Sequence, residues 1–336
     1  MDFAGRCIGV HDFGGPEVLT AFDDVKTLDG PDRVILRNRY CGVNPVDVSF
    51  RTGRMRAYAG DLGPGLVLGM ECAGEVVASR SPRLPVGAVV DALTLPGAGA
   101  HAGSYAEYVA VDADRAAPLP FGLAADVAAA IPLNGVTASS IVDELGPGTA
   151  VAITGAAGAL GRFLVSAANA AGLTTIAIAR PADGPLLRRI GADLVLDGAA
   201  LESDGAPPVD AIVDAAGLGP ALTAWFAPVD TIVAVRADTV HTLAHRRRVE
   251  ANVRRATRVA ERLAWWNRRV LRRPEIVGPI ERFVPEQAAA AQERLATRHR
   301  RGRVVLRWWE CGPVGRTASV PSRSSQLALA RHRDGE

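Results

Sequence analysis

The chain has 336 residues, of which 48% are hydrophobic, and its 38 basic and 36 acidic side chains give a formal net charge of +2. This length is sufficient for about two domains, and the balanced charge excludes a global attraction to nucleic acid or to a membrane surface. The four cysteines are widely separated, which excludes a disulfide framework and a structural zinc ribbon. Because the chain shows neither a secretory h-region nor eighteen consecutive apolar residues, we expect a soluble, cytoplasmic protein without a membrane partner.

Residues 1–120 contain short apolar runs that are separated by Gly, Pro and Asp residues, a pattern that predicts a small all-β barrel. The runs lie at 7–10, 34–36, 67–68, 74–77, 88–92 and 105–111. Two helices are then expected at Asp126–Ala130 and Thr137–Leu145, and a Gly-Pro-Gly turn at 146–148 ends the second.

The stretch Ala150–Gly172 places a short apolar run, three spaced glycines and a helical apolar pattern in succession. This order predicts a strand, a tight turn and a helix. Gly155 and Gly158 would let a pyrophosphate approach the backbone, and Gly161 would let the helix pack closely on the strand. The N–H groups at the start of the helix would face the phosphates. The candidate cofactor-binding residues here are Gly155, Ala156, Ala157, Gly158, Ala159, Leu160 and Gly161.

Three further runs rich in β-branched residues follow this stretch, at Thr174–Ala179, Val209–Ala216 and Asp230–Ala237. A helical pattern ending at Ile190 separates the first run from the second. Because strands alternate with helices, the pattern predicts a parallel, doubly wound α/β sheet.

Six motifs, in chain order, resemble the medium-chain dehydrogenase/reductase superfamily and specifically its zinc-free quinone oxidoreductase branch. They are GGPEVL (14–19), YCGVNPVDVSFRTG (40–53), LGMECAGEVV (68–77), AGSYAEYVAV (102–111), AAAIPLNGVTAS (128–139) and ITGAAGALG (153–161), with a weaker match at 276–307. The resemblance implies a GroES-like β-barrel catalytic domain (1–124 and 274–311), a Rossmann nucleotide-binding domain (125–273) and an active site between them. Residues 312–336 are rich in Ser, Arg, Gly and Pro, so we expect a mobile tail.

The residue types at three positions bear on the choice of metal and cofactor. Zinc-dependent relatives carry a cysteine near the position of Asn44 and a histidine where Met70 stands, and a thioether is a poor zinc ligand. We therefore expect no metal. Arg180 ends the second predicted Rossmann strand, with no carboxylate before Asp183, which favours NADPH because a guanidinium can hold a 2′-phosphate. The alternative is an ordinary solvent-exposed arginine.

The resemblance carries Asn44 and Thr137 over as cofactor contacts. Asp47, Ser49 and Arg51 follow Asn44 and are candidate catalytic residues facing the cleft, although Asp47 could equally cap a helix or a turn. Some relatives have a tyrosine at the position of Ser49, where it acts on the substrate or on proton transfer. Tyr58, the nearest phenol in this chain, is therefore the fourth catalytic candidate.

The segment 244–273 is rich in arginine and tryptophan. Val249, Ala251 and Val253 alternate like a final edge strand, and apolar residues between Val259 and Leu271 recur at helical spacing. Such a helix either binds RNA or buries its tryptophans against the sheet and solvates its arginines, and the second interpretation is the more usual one. Relatives commonly dimerise through the last Rossmann strand, which makes Val249–Ala256 a candidate homodimer edge.

These features predict an NADPH-dependent, zinc-independent oxidoreductase that reduces a quinone or an α,β-unsaturated carbonyl compound. Without a metal, charge on the carbonyl oxygen must be met by donors such as Asn44, Ser49 or Arg51. Two alternatives stay open. One is a natural-product tailoring enzyme, either a dedicated reductase or a redox-neutral cyclase, and the other is an NADPH-binding regulatory or RNA-binding protein, although nucleic acid is not the expected partner.

Overall fold

A computed structural model describes residues 1–59, 62, 65–97, 103–199, 201, 206–219, 222–226, 229, 231–235, 247–250, 253–297 and 302–309. The strands are β1 Asp2–Val10, β2 Thr20–Thr27, β3 Arg33–Val43, β4 Leu66–Val67, β5 Glu71–Ser79, β6 Val89–Leu93, β7 Tyr108–Asp112, β8 Ala116–Pro118, β9 Ala150–Thr154, β10 Thr174–Ile178, β11 Leu194–Leu196, β12 Ala211–Asp214, β13 Thr231–Ala234, β14 Arg247–Glu250, β15 Ile280–Phe283 and β16 Arg303–Arg307. The helices are α1 Pro45–Arg51, α2 Arg56–Ala59, α3 Ala125–Ala128, α4 Pro132–Asp143, α5 Ala159–Ala170, α6 Gly184–Ile190, α7 Leu222–Trp225, α8 Val259–Arg272 and α9 Ala288–Leu295. The predicted tail at 312–336 lies outside the described residues.

The strands described within the first 120 residues are antiparallel, as predicted, but two short helices, α1 and α2, lie between β3 and β4. β1 pairs with β2 and β4 in a three-stranded sheet, and β3 lies inside a seven-stranded sheet ordered β15-β16-β3-β5-β6-β8, with β7 also paired to β3. Apolar side chains from both sheets, including Val10, Leu36 and Val76, pack in one core cluster. The predicted all-β region is therefore built around a single hydrophobic core.

The end of the described chain returns to this antiparallel sheet. β16 pairs antiparallel with β3, with Val304 opposite Val43, and β15 pairs parallel with β16. Val304 and Leu306 pack in the core of the β-strand region, whereas Val305 packs with the helices of the second core. This register places Arg303 beside the start of α1, which matters for the site described below.

The second sheet is wholly parallel, with strand order β11-β10-β9-β12-β13-β14. Numbered from β9, this is the order 3-2-1-4-5-6 of a doubly wound Rossmann sheet. The structure thus confirms the predicted α/β class. The strand order reverses between β9 and β12, and ligands of such sheets bind in the crevice beside the carboxyl ends of the strands at that point.

Two boundaries differ from the sequence prediction. α4 begins at Pro132, five residues before the expected start, because proline suits the first helical position and the Leu133 N–H is bonded by the Glu71 carboxylate at 2.8 Å. The edge strand β14 spans Arg247–Glu250 and pairs parallel with β13, whereas Val253 lies in a short 3-10 turn. Ala251, between them, lies outside the described part of the chain.

Trp266 of α8 lies in one core cluster with residues of the parallel sheet and also contacts two helices. Trp266 is fully buried with its ring 4.9 Å from that of Phe163 in α5, and its indole N–H donates to the Ser139 hydroxyl of α4 at 3.0 Å. The arginines, however, are not uniformly solvated, because Arg262 pairs with Asp143 of α4 at 2.6 Å. Within the described residues, no helix has the length and hydropathy needed to cross a membrane.

Candidate functional site

The glycine-rich turn lies at the carboxyl end of β9, beside the point where the strand order reverses. Gly155 has a φ of +58°, a conformation that favours glycine, and Gly158 caps α5. The Arg162 N–H donates to the Gly158 carbonyl at 3.2 Å as the helical ladder begins. The N–H groups of the preceding turn therefore point out of the helix end, where an anion can accept them.

The three glycines of this turn meet different surroundings. A Cβ on Gly161 would lie 2.2 Å from the Gly155 carbonyl oxygen and 2.6 Å from Cα of Ala156, so close packing of the backbone requires glycine there. A Cβ on Gly158 would meet only that same oxygen, at 3.0 Å, and otherwise open space within 4 Å. Gly161 is thus needed for helix packing, whereas Gly158 borders space that a ligand can enter.

The remaining predicted residues of the turn are not equivalent. Ala156 is fully buried and its N–H donates to the Ile178 carbonyl of β10 at 3.3 Å. Ala157, Ala159 and Leu160 are half-buried at the start of α5. We therefore assign Ala156 to holding the turn against β10, and its neighbours to the surface that faces the crevice.

Asp214, at the carboxyl end of β12, organises the loop beside the glycine turn. Its buried carboxylate accepts hydrogen bonds from the Thr154 hydroxyl at 2.8 Å and from the backbone N–H groups of Gly217, Leu218 and Gly219 at 2.9–3.1 Å. The sequence analysis treated this region only as a strand. The role of Asp214 could have been predicted from its position before a glycine-containing loop, because an aspartate carboxylate often accepts hydrogen bonds from loop N–H groups.

Arg180, the candidate 2′-phosphate ligand, follows β10 and is half-exposed. Its guanidinium donates to the Asp183 carboxylate through Nε at 3.2 Å and through Nη2 at 3.1 Å. Asp183 itself is buried. Asp183, the first carboxylate after the strand, therefore orients this arginine. Arg180 is thus more than an ordinary solvent-exposed arginine.

Asn44, directly after β3, lies in a buried polar network that links β5 and β16 of the antiparallel sheet to helix α4. Its amide donates to the Glu71 carboxylate at 2.8 Å and its carbonyl oxygen accepts from Arg303 at 2.8 Å. Glu71, which is 0% exposed, also accepts from Arg303 at 2.5 Å and from the Leu133 N–H at 2.8 Å. Sequence analysis chose Asn44 but missed Glu71 and Arg303, since their partners lie 27 to 259 residues away along the chain.

Thr137 lies one turn into α4, close to the segment that Glu71 holds. Its hydroxyl donates to the Leu133 carbonyl at 2.6 Å and the residue is largely buried. Like Asn44, it therefore has an intramolecular partner, and its cofactor contact stays a prediction.

Asp47 occupies the third position of α1 and forms a capping box with Asn44. Its fully buried carboxylate accepts from the Asn44 N–H at 2.8 Å and from the Tyr105 hydroxyl at 3.1 Å. Burial raises the pKa of Asp47 to about 7. These contacts favour the helix-capping alternative over direct contact with a substrate.

Of the other three catalytic candidates, Arg51 has a structural role, whereas Ser49 and Tyr58 are accessible. Arg51 is nearly buried, and its guanidinium donates to the Gly14 carbonyl and to the Gln292 side chain, both at 2.7 Å. This favours a role in joining α1 to α9. Ser49 is half-buried with its hydroxyl 3.3 Å from the Pro45 carbonyl, and Tyr58 is 38% exposed in α2.

The position predicted to lack a zinc ligand is part of the β-strand core. Met70 is buried there, between Gly69 and Glu71. Across the described residues, no group of three or more His, Cys, Asp or Glu side chains is arranged to hold a metal ion. Independence of zinc stays a prediction, since His101 and Cys311 lie outside these residues.

Comparison with known proteins supports the two-part architecture. Residues 30–121 match the alcohol dehydrogenase GroES-like domain family. The structure of a mycobacterial protein complexed with NADPH superposes with a TM-score of 0.70, at 24% identity, covering 90% of this chain and 99% of that one. This second likeness concerns the fold alone.

Two curated relatives are similar over part of their length. The quinone oxidoreductase of Pseudomonas aeruginosa is 35% identical over 193 residues, which are 55% of this chain and 56% of that protein. Prostaglandin reductase-3 of mouse is 37% identical over 144 residues, which are 41% of this chain and 35% of that protein. The chain thus matches between about a third and 56% of these relatives' length. Its GroES-like segment and these relatives make the chain similar to the medium-chain dehydrogenase/reductase superfamily, and in particular to quinone oxidoreductases.

Proposed function

We propose that this protein is an NADPH-dependent, zinc-independent oxidoreductase that reduces a quinone or an α,β-unsaturated carbonyl compound. The observation that carries the proposal is the glycine turn at the carboxyl end of β9, where Gly158 faces open space beside the free end of α5. A pyrophosphate fits such a place, because no side chain blocks the backbone and the helix dipole favours an anion.

The residues around the turn suit a dinucleotide. Gly155, Gly158 and Gly161 supply the tight bend, the open approach and the close helix packing that the dinucleotide fingerprint requires. Asp214 holds the neighbouring loop by its backbone N–H groups and so shapes the opposite side of the crevice. When bound, NADPH supplies the hydride, and the protein supplies orientation and electrostatics.

Arg180 supports NADPH over NADH in this proposal. Its guanidinium lies just after β10, where dinucleotide-binding folds recognise the ribose. Two hydrogen bonds to the Asp183 carboxylate orient it. An oriented guanidinium can bind a phosphate with parallel hydrogen bonds. The structural neighbour that was solved with NADPH agrees with this preference.

The reaction requires a donor for the oxygen on which negative charge develops. Asn44 and Arg51 are committed to Glu71, Arg303, Gly14 and Gln292, so they position α1 rather than meet that charge. Ser49 and Tyr58 are the accessible hydroxyls among the predicted residues. We assign Ser49 to hydrogen bonding with the substrate oxygen and Tyr58 to proton return. The names of the relatives, quinone oxidoreductase and prostaglandin reductase, agree with carbonyl-containing substrates.

The test is a pair of fluorescence titrations with NADPH and NADH, followed by oxidation of the bound cofactor with a panel of quinones and enones. Three proteins are compared: the parent, Arg180→Gln, and Arg189→Gln, which removes an exposed arginine from α6 as a matched control. We expect the parent to bind NADPH more tightly and to oxidise it with a panel member. Arg180→Gln loses the preference for NADPH, and Arg189→Gln keeps it.

Other outcomes assign other functions. NADPH binding without oxidation by any panel member would favour the natural-product tailoring enzyme. Some relatives use a tyrosine at the position of Ser49 to act on the substrate, and its replacement by serine is consistent with a different substrate or reaction. Failure to bind either nucleotide contradicts the proposal. A homodimer formed through the edge strand β14 is part of the proposal as well, and light scattering of the purified protein measures the oligomeric state.

A further inference from the structure

A cavity of about 230 Å³ lies along the C-terminal half of α8. It is lined by Trp265, Arg268, Arg269, Arg272 and Arg273. The first four follow helical spacing of three and four residues, so they share one face of α8, and Arg273 follows directly after the helix. We call this feature the arginine cavity.

The positive charge of the arginine cavity is not balanced by the protein around it. Among the described residues, no carboxylate forms an ion pair with any of its four arginines, whereas Arg258 and Arg262, earlier in the same region, pair with Glu261 and Asp143. The negative end of the helix dipole offsets only about half an elementary charge. Four guanidinium groups around one small space therefore repel one another unless an anion joins them.

One of these arginines is held in place before any ligand arrives. Arg269 donates through Nε to the Ser166 hydroxyl at 2.6 Å and through Nη2 to the Ser166 carbonyl at 2.9 Å. Its guanidinium also lies over the Trp265 ring at 5.0 Å. Burial and the neighbouring Arg273 lower the pKa of Arg269, which is the direction expected for a cation that lacks a counter-charge. The Arg269 side chain is therefore ordered before a ligand binds, so binding costs less conformational entropy at this residue.

We propose that the arginine cavity is a binding site for a small anion that carries two or more phosphate groups. Arginine binds phosphate bidentately, and several guanidiniums suit several phosphates better than one carboxylate. The small volume and the concentration of charge on two helical turns favour a compact anion over RNA, which tracks an extended basic groove.

This site is separate from the proposed cofactor site. Ser166, which anchors the arginine cavity, lies seven residues after the start of α5, or about 10 Å along the helix axis from the glycine turn. The inference is therefore independent of the reductase function, and the test does not use cofactor oxidation.

The test is calorimetric titration of the full-length protein with inorganic tripolyphosphate at physiological salt. The variant Arg268→Gln/Arg272→Gln removes two exposed arginines from the cavity. The control Arg188→Gln/Arg189→Gln removes two exposed arginines from the last turn of α6, so it matches the change in charge and in helix position. We expect binding of one tripolyphosphate, weakened at least tenfold in the cavity variant and less than twofold in the control. Circular dichroism checks that each variant is folded.

Four outcomes overturn the proposal. The parent protein releases or absorbs no heat with tripolyphosphate, or the cavity variant binds it as tightly as the parent does. A further contradicting outcome is that the parent binds a twenty-nucleotide single-stranded RNA more tightly than tripolyphosphate, and that the cavity variant binds this RNA more weakly. That result would assign the surface to nucleic acid. A tripolyphosphate affinity that Gly158→Ala lowers as much as the cavity variant does would place the anion at the glycine turn, and also contradicts the proposal.

Discussion

Asn267 of α8 donates a hydrogen bond to the Asp91 carboxylate of β6 at 3.0 Å, and both side chains are fully buried. Among the residues that the structure describes, none donates a hydrogen bond to the second carboxylate oxygen of Asp91 or to the amide oxygen of Asn267. Two acceptors cannot satisfy each other unless a proton lies between them. A protonated Asp91 would supply that proton, so that the acid and the amide could share two hydrogen bonds between β6, in the antiparallel sheet, and α8.

Asp91 therefore makes stability depend on pH. Burial raises the pKa of Asp91 to about 8, against an ordinary value of 3.8. Between these values the folded protein binds a proton that the unfolded chain has released, so the free energy of unfolding falls as pH rises, by at most about 1.4 kcal/mol per pH unit. Asp91→Asn keeps both hydrogen bonds without a titrating group. We expect its stability relative to the parent to increase from pH 5 to pH 7, as measured by urea unfolding.

The comparison with the parent isolates Asp91, because every other titrating group, including Asp47, is common to both proteins. Asp114→Asn, at an exposed position, is the control and should follow the parent at each pH. Parallel pH profiles for Asp91→Asn and the parent would show that Asp91 is ionised in the folded protein.

Glu71 and Arg303 provide a second prediction, on stability. Glu71→Gln keeps the side-chain shape but leaves the Arg303 cation buried without its counter-charge. We expect a loss of about 3–5 kcal/mol in the free energy of unfolding. The control is Glu75→Gln on the same strand, whose carboxylate pairs with Arg39 at 2.8 Å while one-third exposed, and which should cost about 1 kcal/mol or less. Equal losses in the two variants would mean that burial does not distinguish these ion pairs.

The elements that the sequence predicted well are those whose signals are local. The strand, glycine turn and helix at 150–172 depend on apolar spacing and on backbone space, and both are visible along one short stretch. The same holds for α6 and α8, whose apolar residues recur at helical spacing. The parallel class of the sheet was predictable because strands alternate with helices along the chain.

The roles of individual polar side chains could not be obtained in this way. Asn44 and Arg51 carry groups suited to a substrate oxygen, but their partners are distant in sequence. Glu71 lies on the neighbouring strand β5, and Arg303 and Gln292 are brought close by the return of the chain through β16 and α9. The start of α4 was misplaced for the same reason, since Glu71 holds it from another sheet. Long-range pairing therefore determines which predicted donors stay available.

Ser49 and Tyr58 are the donors that stay accessible, and they give a kinetic prediction. Removing the hydroxyl that meets the developing charge should lower kcat by about 10²-fold or more. We expect this for Ser49→Ala, and for Tyr58→Phe we expect lower turnover and an altered pH profile if its phenol returns the proton. Thr52→Val, one turn after Ser49, removes a hydroxyl that bonds the Val48 carbonyl at 2.8 Å and is the control. If Ser49→Ala and Tyr58→Phe both turn over like the parent, the donor assignment is wrong.

The packing of Trp266 on α4 gives a prediction with opposing contributions. Gly135→Ala should strengthen α4 by its helix propensity, but the new Cβ would lie 2.7 Å from the Trp266 ring. Overpacking in a core costs about 1–3 kcal/mol, so we expect a net loss of stability. Gly184→Ala, at the start of α6, meets only the flexible end of Arg188 at 3.1 Å and should be nearly neutral in thermal unfolding. A stabilised Gly135→Ala would mean that Trp266 can move aside.

Gly158 and Gly161 separate cofactor binding from folding. Gly158 has a φ of −72°, which alanine adopts readily, and its Cβ would meet only one backbone oxygen, at 3.0 Å. We expect Gly158→Ala to unfold within about 1 kcal/mol of the parent but to bind NADPH at least tenfold more weakly, because the methyl group fills the approach of the pyrophosphate. Gly161→Ala, with a Cβ 2.2 Å from the Gly155 oxygen, should instead lose stability. Thermal unfolding and NADPH titration of both variants measure this. If Gly158→Ala binds NADPH as tightly as the parent, the phosphates do not approach the backbone at this turn.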